Sequence, residues 1–138
     1  MGQSMGGYII QAFLLKYPEC VSAFIGIDTC PFGMQYYSKS DLFWLRQVEW
    51  MCLCIPHKTL VRAVASSVGT MEYTRENMAR ALSVYGHREL CHLMGLGYRG
   101  FLRENRDLTI GCPTLILAGE KDRTGKVLSY SRAWHEST

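Results

Sequence analysis

Nowhere in the sequence do five or more Lys or Arg run together, although its 138 residues carry a formal net charge of +3. Neither a nucleic-acid footprint nor a polybasic membrane patch is therefore expected. No apolar run reaches the roughly 18 residues that a membrane-spanning helix needs. An apolar stretch from Tyr8 to Leu15 stands close behind Met1, but no positive residue precedes it and no small-residue cleavage site follows, which argues against a secretory signal. Gly2 fails as an acylation site because Gly6 stands where Ser or Thr is wanted. The six cysteines, Cys20, Cys30, Cys52, Cys54, Cys91 and Cys112, include no CxxC pair and mostly lie in apolar stretches. They read as buried, reduced thiols, and a cytoplasmic setting is the plain default. His87, Cys91 and His92 offer ligands one turn apart with no second pair to complete a zinc site, so no metal or other cofactor is expected.

What is present has an α/β order. Ile9, Ile10, Phe13, Leu14 and Tyr17 recur at helical spacing until Pro18 stops them. Val21 to Ile27 is short, apolar and β-branched, the pattern of a parallel strand buried on both faces, and it ends at Asp28. A helical block of about 70 residues follows by periodicity. Ser38 to Asp41 resembles a capping box opening a helix that runs to about Ile55; a second helix covers Lys58 to Val68; a third starts near Thr74 and ends at Gly86. From Arg88 to Asn105 the pattern is helical but loosened by Gly95, Gly97 and Gly100. Thr114 to Ala118 reads as a second strand, and Lys126 to about Glu136 as a last amphipathic helix.

The chemistry-bearing motif is Gly2-Gln3-Ser4-Met5-Gly6, G-x-S-x-G, directly ahead of the first helix. In a nucleophile elbow the serine occupies a sharp strand-to-helix turn, and flanking small residues prevent collision with neighbouring backbone. Gly2, Gly6 and Gly7 provide that room. The helix then aims its N-terminus at the reacting centre, and Met5 N–H becomes the expected donor to an oxyanion.

GQSMGG before a helix, a strand ending in Asp28, a helical insert and then PTLILAGEKD together resemble the second half of an α/β-hydrolase, over the whole chain. The resemblance implies a partial α/β-hydrolase fold, with parallel strands flanked by helices and an inserted helical cap. Residues 1–32 and 108–138 would be core and 33–107 the cap or lid. It makes Ser4 the nucleophile and carries the triad acid onto Asp122 of GEKD, where it would hold a catalytic imidazole in the right tautomer. Asp28 is the other candidate, because some members of the family hold the acid there. Both aspartates also suit ordinary turn roles.

The resemblance further implies a histidine beyond one more strand and several earlier strands before Gly2, so the sequence is expected to be an internal piece of a longer enzyme. His135, close behind Asp122, reads as a solvated helix residue, and His57, His87 and His92 fall in the cap. Strands without their neighbours leave unpaired edges, so the 138 residues alone are expected to be inactive and poorly soluble. Phe32, Tyr36, Tyr37, Phe43, Trp44 and Trp50 suit either an apolar acyl pocket or ordinary packing of the cap.

The expected function is acyl transfer to water from a small ester-like substrate. A cofactor-free haloperoxidase-like activity would use the same residues, and a binding module without turnover is the alternative of a different class. A serine at this position argues against the dehalogenase branch, whose nucleophile is Asp. Gly95 to Gly100 matches GxGxxG, but it follows a helical pattern where a dinucleotide site requires a strand.

Overall fold

In the computed structural model, which describes residues 1–137, the chain is mixed α/β, with seven α-helices, two short 3₁₀ helices and three strands among these residues. They form two compact units. The first takes Met1–Ser38, Glu104–Glu120 and the stretch from Gly125; the second takes Lys39–Arg103 with the loop Lys121–Thr124.

In the first unit β1 (Gly2–Gln3), β2 (Phe24–Ile27) and β3 (Thr114–Leu117) form a parallel sheet in the order β1-β2-β3. The two-residue strand β1 is too short to be visible as a sequence pattern. Its register, Gly2 to Gly26 and Gln3 to Ile27, brings the G-x-S-x-G segment alongside β2. Helix α1 (Met5–Lys16) follows β1, and helix α7 (Val127–Ser137) closes the unit. Leu14 of α1 and Trp134 of α7 meet Phe24, with Ile116 packed against them, so both helices use the sheet face that Phe24 and Ile116 share.

That shared use corrects one expectation. β2 is not buried on both faces: Phe24 and Gly26 are buried, whereas Ile25 and Ile27 are half-buried. On the same opposite face of β3, Leu115 and Leu117 remain 50% and 44% exposed.

The second unit holds α2 (Lys39–Arg46), α3 (Val48–Leu53), α4 (His57–Ser67), α5 (Glu72–Leu82) and nearly all of α6 (His87–Glu104). Cys52, Leu60, Val61, Leu90 and Cys91 form its core. Where one helix is expected up to Ile55, the chain breaks at Gln47 (φ −95°, ψ 1°), whose N–H reaches Trp44 O, three residues back. A tight turn there re-aims Val48, Cys52 and Leu53 into the core. Pro56 stands between the end of α3 and the start of α4, where its missing N–H costs nothing. Thr74 is not the cap of α5, which begins after Met71.

Helix α6 runs unbroken through Gly95, Gly97 and Gly100, although each glycine costs about 1 kcal/mol relative to alanine. Burial of Leu90, Cys91 and Phe101 along one face offsets this, and Gly95 has a packing reason: a Cβ there would lie 2.6 Å from the Glu49 Cβ. The cysteines divide. Cys30, Cys52 and Cys91 are buried and Cys112 is intermediate, but Cys20 and Cys54 are exposed, contrary to expectation; all six are free thiols. Burial raises the pKa of Cys52 and Cys91.

Candidate active site

The chain leaves β1 through Ser4, whose backbone lies at φ 48° and ψ −121°. Such left-handed geometry costs a residue with a Cβ about 1–3 kcal/mol and persists only where surrounding contacts impose it. Three contacts do so. Ser4 N–H donates to Ile27 O at 2.9 Å, while the Ser4 carbonyl accepts Gly7 N–H at 2.9 Å and the Thr29 hydroxyl at 2.8 Å. The side chain is left exposed. Ser4 occupies the N-cap position of α1, yet its hydroxyl does not cap the helix and has no hydrogen-bond partner among the described residues.

Met5 opens α1, and the first N–H groups of a helix have no partner within it. The helix dipole adds roughly half a positive charge at that end. An anion forming beside the Ser4 hydroxyl therefore finds free amides and a favourable field.

Asp28 is the second strained residue, at φ 45°. Extending the β1–β2 register by one position sets Ser4 beside Asp28, both at the C-terminal ends of neighbouring parallel strands, where open α/β sheets gather their ligands. Asp28 N–H donates to Leu117 O at 2.8 Å, and Asp28 Oδ1 accepts Gly119 N–H at 2.6 Å. One carboxylate thus ties the ends of β2 and β3 together.

Two further residues hold this corner, and sequence reasoning did not single them out. Thr29 is buried, and its hydroxyl is the one that grips Ser4 O. Gln11, fully buried, donates from Nε2 to Cys30 O at 2.9 Å and accepts Phe32 N–H on Oε1 at 2.7 Å, pinning the chain after β2 to α1. A lone amide among the apolar residues of α1 was the available signal.

The glycines around the serine are not equivalent. Nothing lies within 4 Å of a Cβ built on Gly6, so that residue is not needed for room. A Cβ on Gly7 would lie 2.5 Å from the Thr29 Cβ and overlap its hydroxyl. Gly7→Ala is therefore expected to push α1 off Thr29, with a loss of about 2 kcal/mol in urea denaturation, while Gly6→Ala stays within about 0.5 kcal/mol of wild type. Equal effects from both would show that close packing of α1 does not hold the bend.

Asp122 belongs to the other compact unit. Its Oδ1 accepts Thr124 N–H at 2.7 Å, closing a small turn, and the neighbouring Arg123 N–H donates to Ser67 O at 3.3 Å. The described contacts thus gather Ser4, Met5, Asp28 and Thr29, while those of Asp122 are local to its loop. His135 is exposed on α7. Its neighbour Trp134 packs on Phe24 at the start of β2, so His135 stands at the opposite end of the sheet from Ser4.

The remaining histidines lie in the second unit. His92 Nδ1 stands 3.1 Å from the Glu49 carboxylate, and the Arg99 guanidinium, which also binds Glu49, is the larger cause of its lowered pKa. His57 Nδ1 is buried without a hydrogen-bond partner among the described residues. No group of three or more His, Cys, Asp or Glu suited to a metal occurs among the described residues.

Comparisons with protein-family models, curated proteins and solved structures found no match. The arrangement at Ser4 must therefore be read on its own chemistry. Phe32 and Tyr37 are core residues, and Tyr37 donates to Pro31 O at 2.7 Å with its pKa driven up chiefly by burial. Phe43, Trp44 and Trp50 are exposed. A groove of about 460 Å³ does run along β3 and α7, but Ser4, Met5 and Asp28 are not among its lining residues.

Proposed function

We propose that Ser4 is the nucleophile of a serine hydrolase of the α/β-hydrolase kind, attacking the carbonyl of a small ester-like substrate to form an acyl-enzyme that water then releases. The observation that carries this reading is a serine held in a strained bend between a parallel strand and a helix, exposed and with its hydroxyl unengaged. Structures keep such strain at sites where a side chain must be presented to a ligand.

In this mechanism a histidine removes the serine proton as Oγ attacks and passes it to the leaving oxygen. Negative charge gathers on the former carbonyl oxygen, where Met5 N–H donates; one such donor contributes about 3 kcal/mol to the transition state. A carboxylate orients the imidazole and stabilises it when protonated. Asp122 takes that role from the resemblance of its GEKD loop. One observation favours Asp28 for the same role: it follows Ile27 as Ser4 follows Gln3, and Gln3 and Ile27 are the last paired residues of β1 and β2.

Asparagine at each position, in the longest form of the protein that carries this chain, separates the two. Asp122→Asn is expected to lower ester turnover by about 10⁴-fold and Asp28→Asn to change it by less than about tenfold. The reverse result transfers the role to Asp28, and two silent variants sink the triad. Asn tolerates the left-handed backbone at position 28 and keeps an oxygen for Gly119 N–H, so loss of folding does not confound the comparison.

A further inference from the structure

We infer that Thr29 is a positioning residue for the oxyanion site, its hydroxyl setting both the aim and the donor strength of the Met5 N–H. Its role rests on the reading of Ser4 as the nucleophile, and it acts through a group that neither the G-x-S-x-G spacing nor a triad singles out.

The Ser4 C=O and the Met5 N–H belong to one peptide unit. That unit is planar and trans, so the two groups point in opposite directions and turn together. The N–H end is unrestrained: it is the first amide of α1, with no partner within the helix and none among the other described residues. Its direction is therefore decided at the carbonyl end. There the oxygen meets two donors, Gly7 N–H at 2.9 Å and the Thr29 hydroxyl at 2.8 Å. The Gly7 bond lies in the first turn of α1 and moves with it. The Thr29 hydroxyl comes from outside the helix and fixes the peptide relative to the sheet.

Thr29 is itself held tightly. It is 1% exposed, and its carbonyl accepts the Ser131 hydroxyl of α7 at 3.2 Å. Its side chain fills the space beside Gly7 and Gly26, where an added Cβ would stand 2.5 Å from the Thr29 Cβ and 3.0 Å from its Cγ2 respectively. All of these groups lie in the first unit. A side chain with so little freedom passes its position on to the peptide it grips.

The same bond acts electronically. Once an oxyanion forms, the Thr29 O–H, the Ser4–Met5 peptide and the oxyanion make a chain of hydrogen bonds through one amide, and each member polarises the next. A carbonyl that accepts a second proton donor makes its own N–H a better donor. The gain is realised in full only when negative charge is present, so it belongs to the transition state and not to substrate binding.

Two substitutions that differ by the hydroxyl alone test this in the longest form of the protein that carries this chain. Thr29→Ser loses the methyl and keeps the hydroxyl; Thr29→Ala loses both. Relative to Thr29→Ser, Thr29→Ala should lower kcat for nitrophenyl acetate about tenfold with KM unchanged, and slow fluorophosphonate labelling of Ser4 by a similar factor, a fraction of the roughly 10²- to 10³-fold carried by a whole oxyanion donor. Thr29→Ser should keep most of the wild-type rate. Thr29→Val, branched but without the hydroxyl, should fall at least as far as Thr29→Ala and replaces it if the alanine variant fails to fold. Equal kcat in the serine and alanine variants, or a loss carried by KM, overturns the role of Thr29 and leaves Ser4 as the nucleophile. Turnover and labelling that persist in Ser4→Ala remove the hydrolase reading and the role of Thr29 with it.

Discussion

Ser4→Ala is expected to abolish labelling by a fluorophosphonate probe and to lower ester turnover by at least about 10⁴-fold, since removal of the nucleophile alone costs about as much as removal of a whole triad. The reagent reads the nucleophile directly, because it phosphonylates only a serine whose hydroxyl is deprotonated on attack and whose site stabilises the resulting oxyanion. Ser4 meets the structural side of this requirement: its hydroxyl is unengaged and the amides of α1 begin at the next residue. The substitution leaves the bend's main-chain bonds to Ile27, Gly7 and Thr29 available, so a folded variant that fails to label isolates the chemistry. Labelling that survives in Ser4→Ala would end the hydrolase reading. A protein that never labels yet still binds apolar ligands would be the binding module instead.

The largest stability effect is expected at Phe24→Ala, which should cost about 4 kcal/mol. Phe24 is 1% exposed, and its ring lies 6.0 Å from that of Trp134, with Leu14 completing the cluster. The cavity left by its removal cannot close easily, because α1, α7 and β3 all rest on this side chain. Urea denaturation, followed by the fluorescence of Trp134, should show the midpoint of the first unit falling. Ile9→Ala, at a residue 63% exposed on α1, should move it by less than about 0.5 kcal/mol. If the two variants denature alike, the cluster around Phe24 is not the core of that unit.

The parts of this architecture legible in the sequence are those fixed by local rules. Apolar spacing located α1, α4, α6 and α7 to within a few residues, and the short apolar runs located β2 and β3. What escaped depends on contacts distant in sequence. A two-residue strand such as β1 has no periodicity and exists only through its pairing with Gly26 and Ile27. The break at Gln47 serves packing in the second unit, not local preference, and the three glycines of α6 weaken a helix that burial then supports.

At the candidate site the G-x-S-x-G spacing was enough to mark Ser4. It could not show that Thr29, arriving from the end of β2, would hold the serine carbonyl, or that Asp28 would share its backbone strain. The aromatic residues show the same limit from the other side. Phe32 and Trp50 look alike in composition, yet one is core and the other solvent-facing, because only the folded chain decides which side of an element has a neighbour.

The paired bends at Ser4 and Asp28 carry a consequence for linkage. They occupy adjacent rungs, joined by Ser4 N–H to Ile27 O and by the Thr29 hydroxyl to Ser4 O, and Asp28 in turn holds Gly119 N–H, just ahead of Asp122 in the chain. A ligand that draws on the Ser4 main chain would therefore pull on the neighbours of Asp28 on both sides, Ile27 and Thr29. If such a ligand also steadies the exit from β3, reciprocity requires that whatever fixes that exit tighten binding at the serine by the same factor.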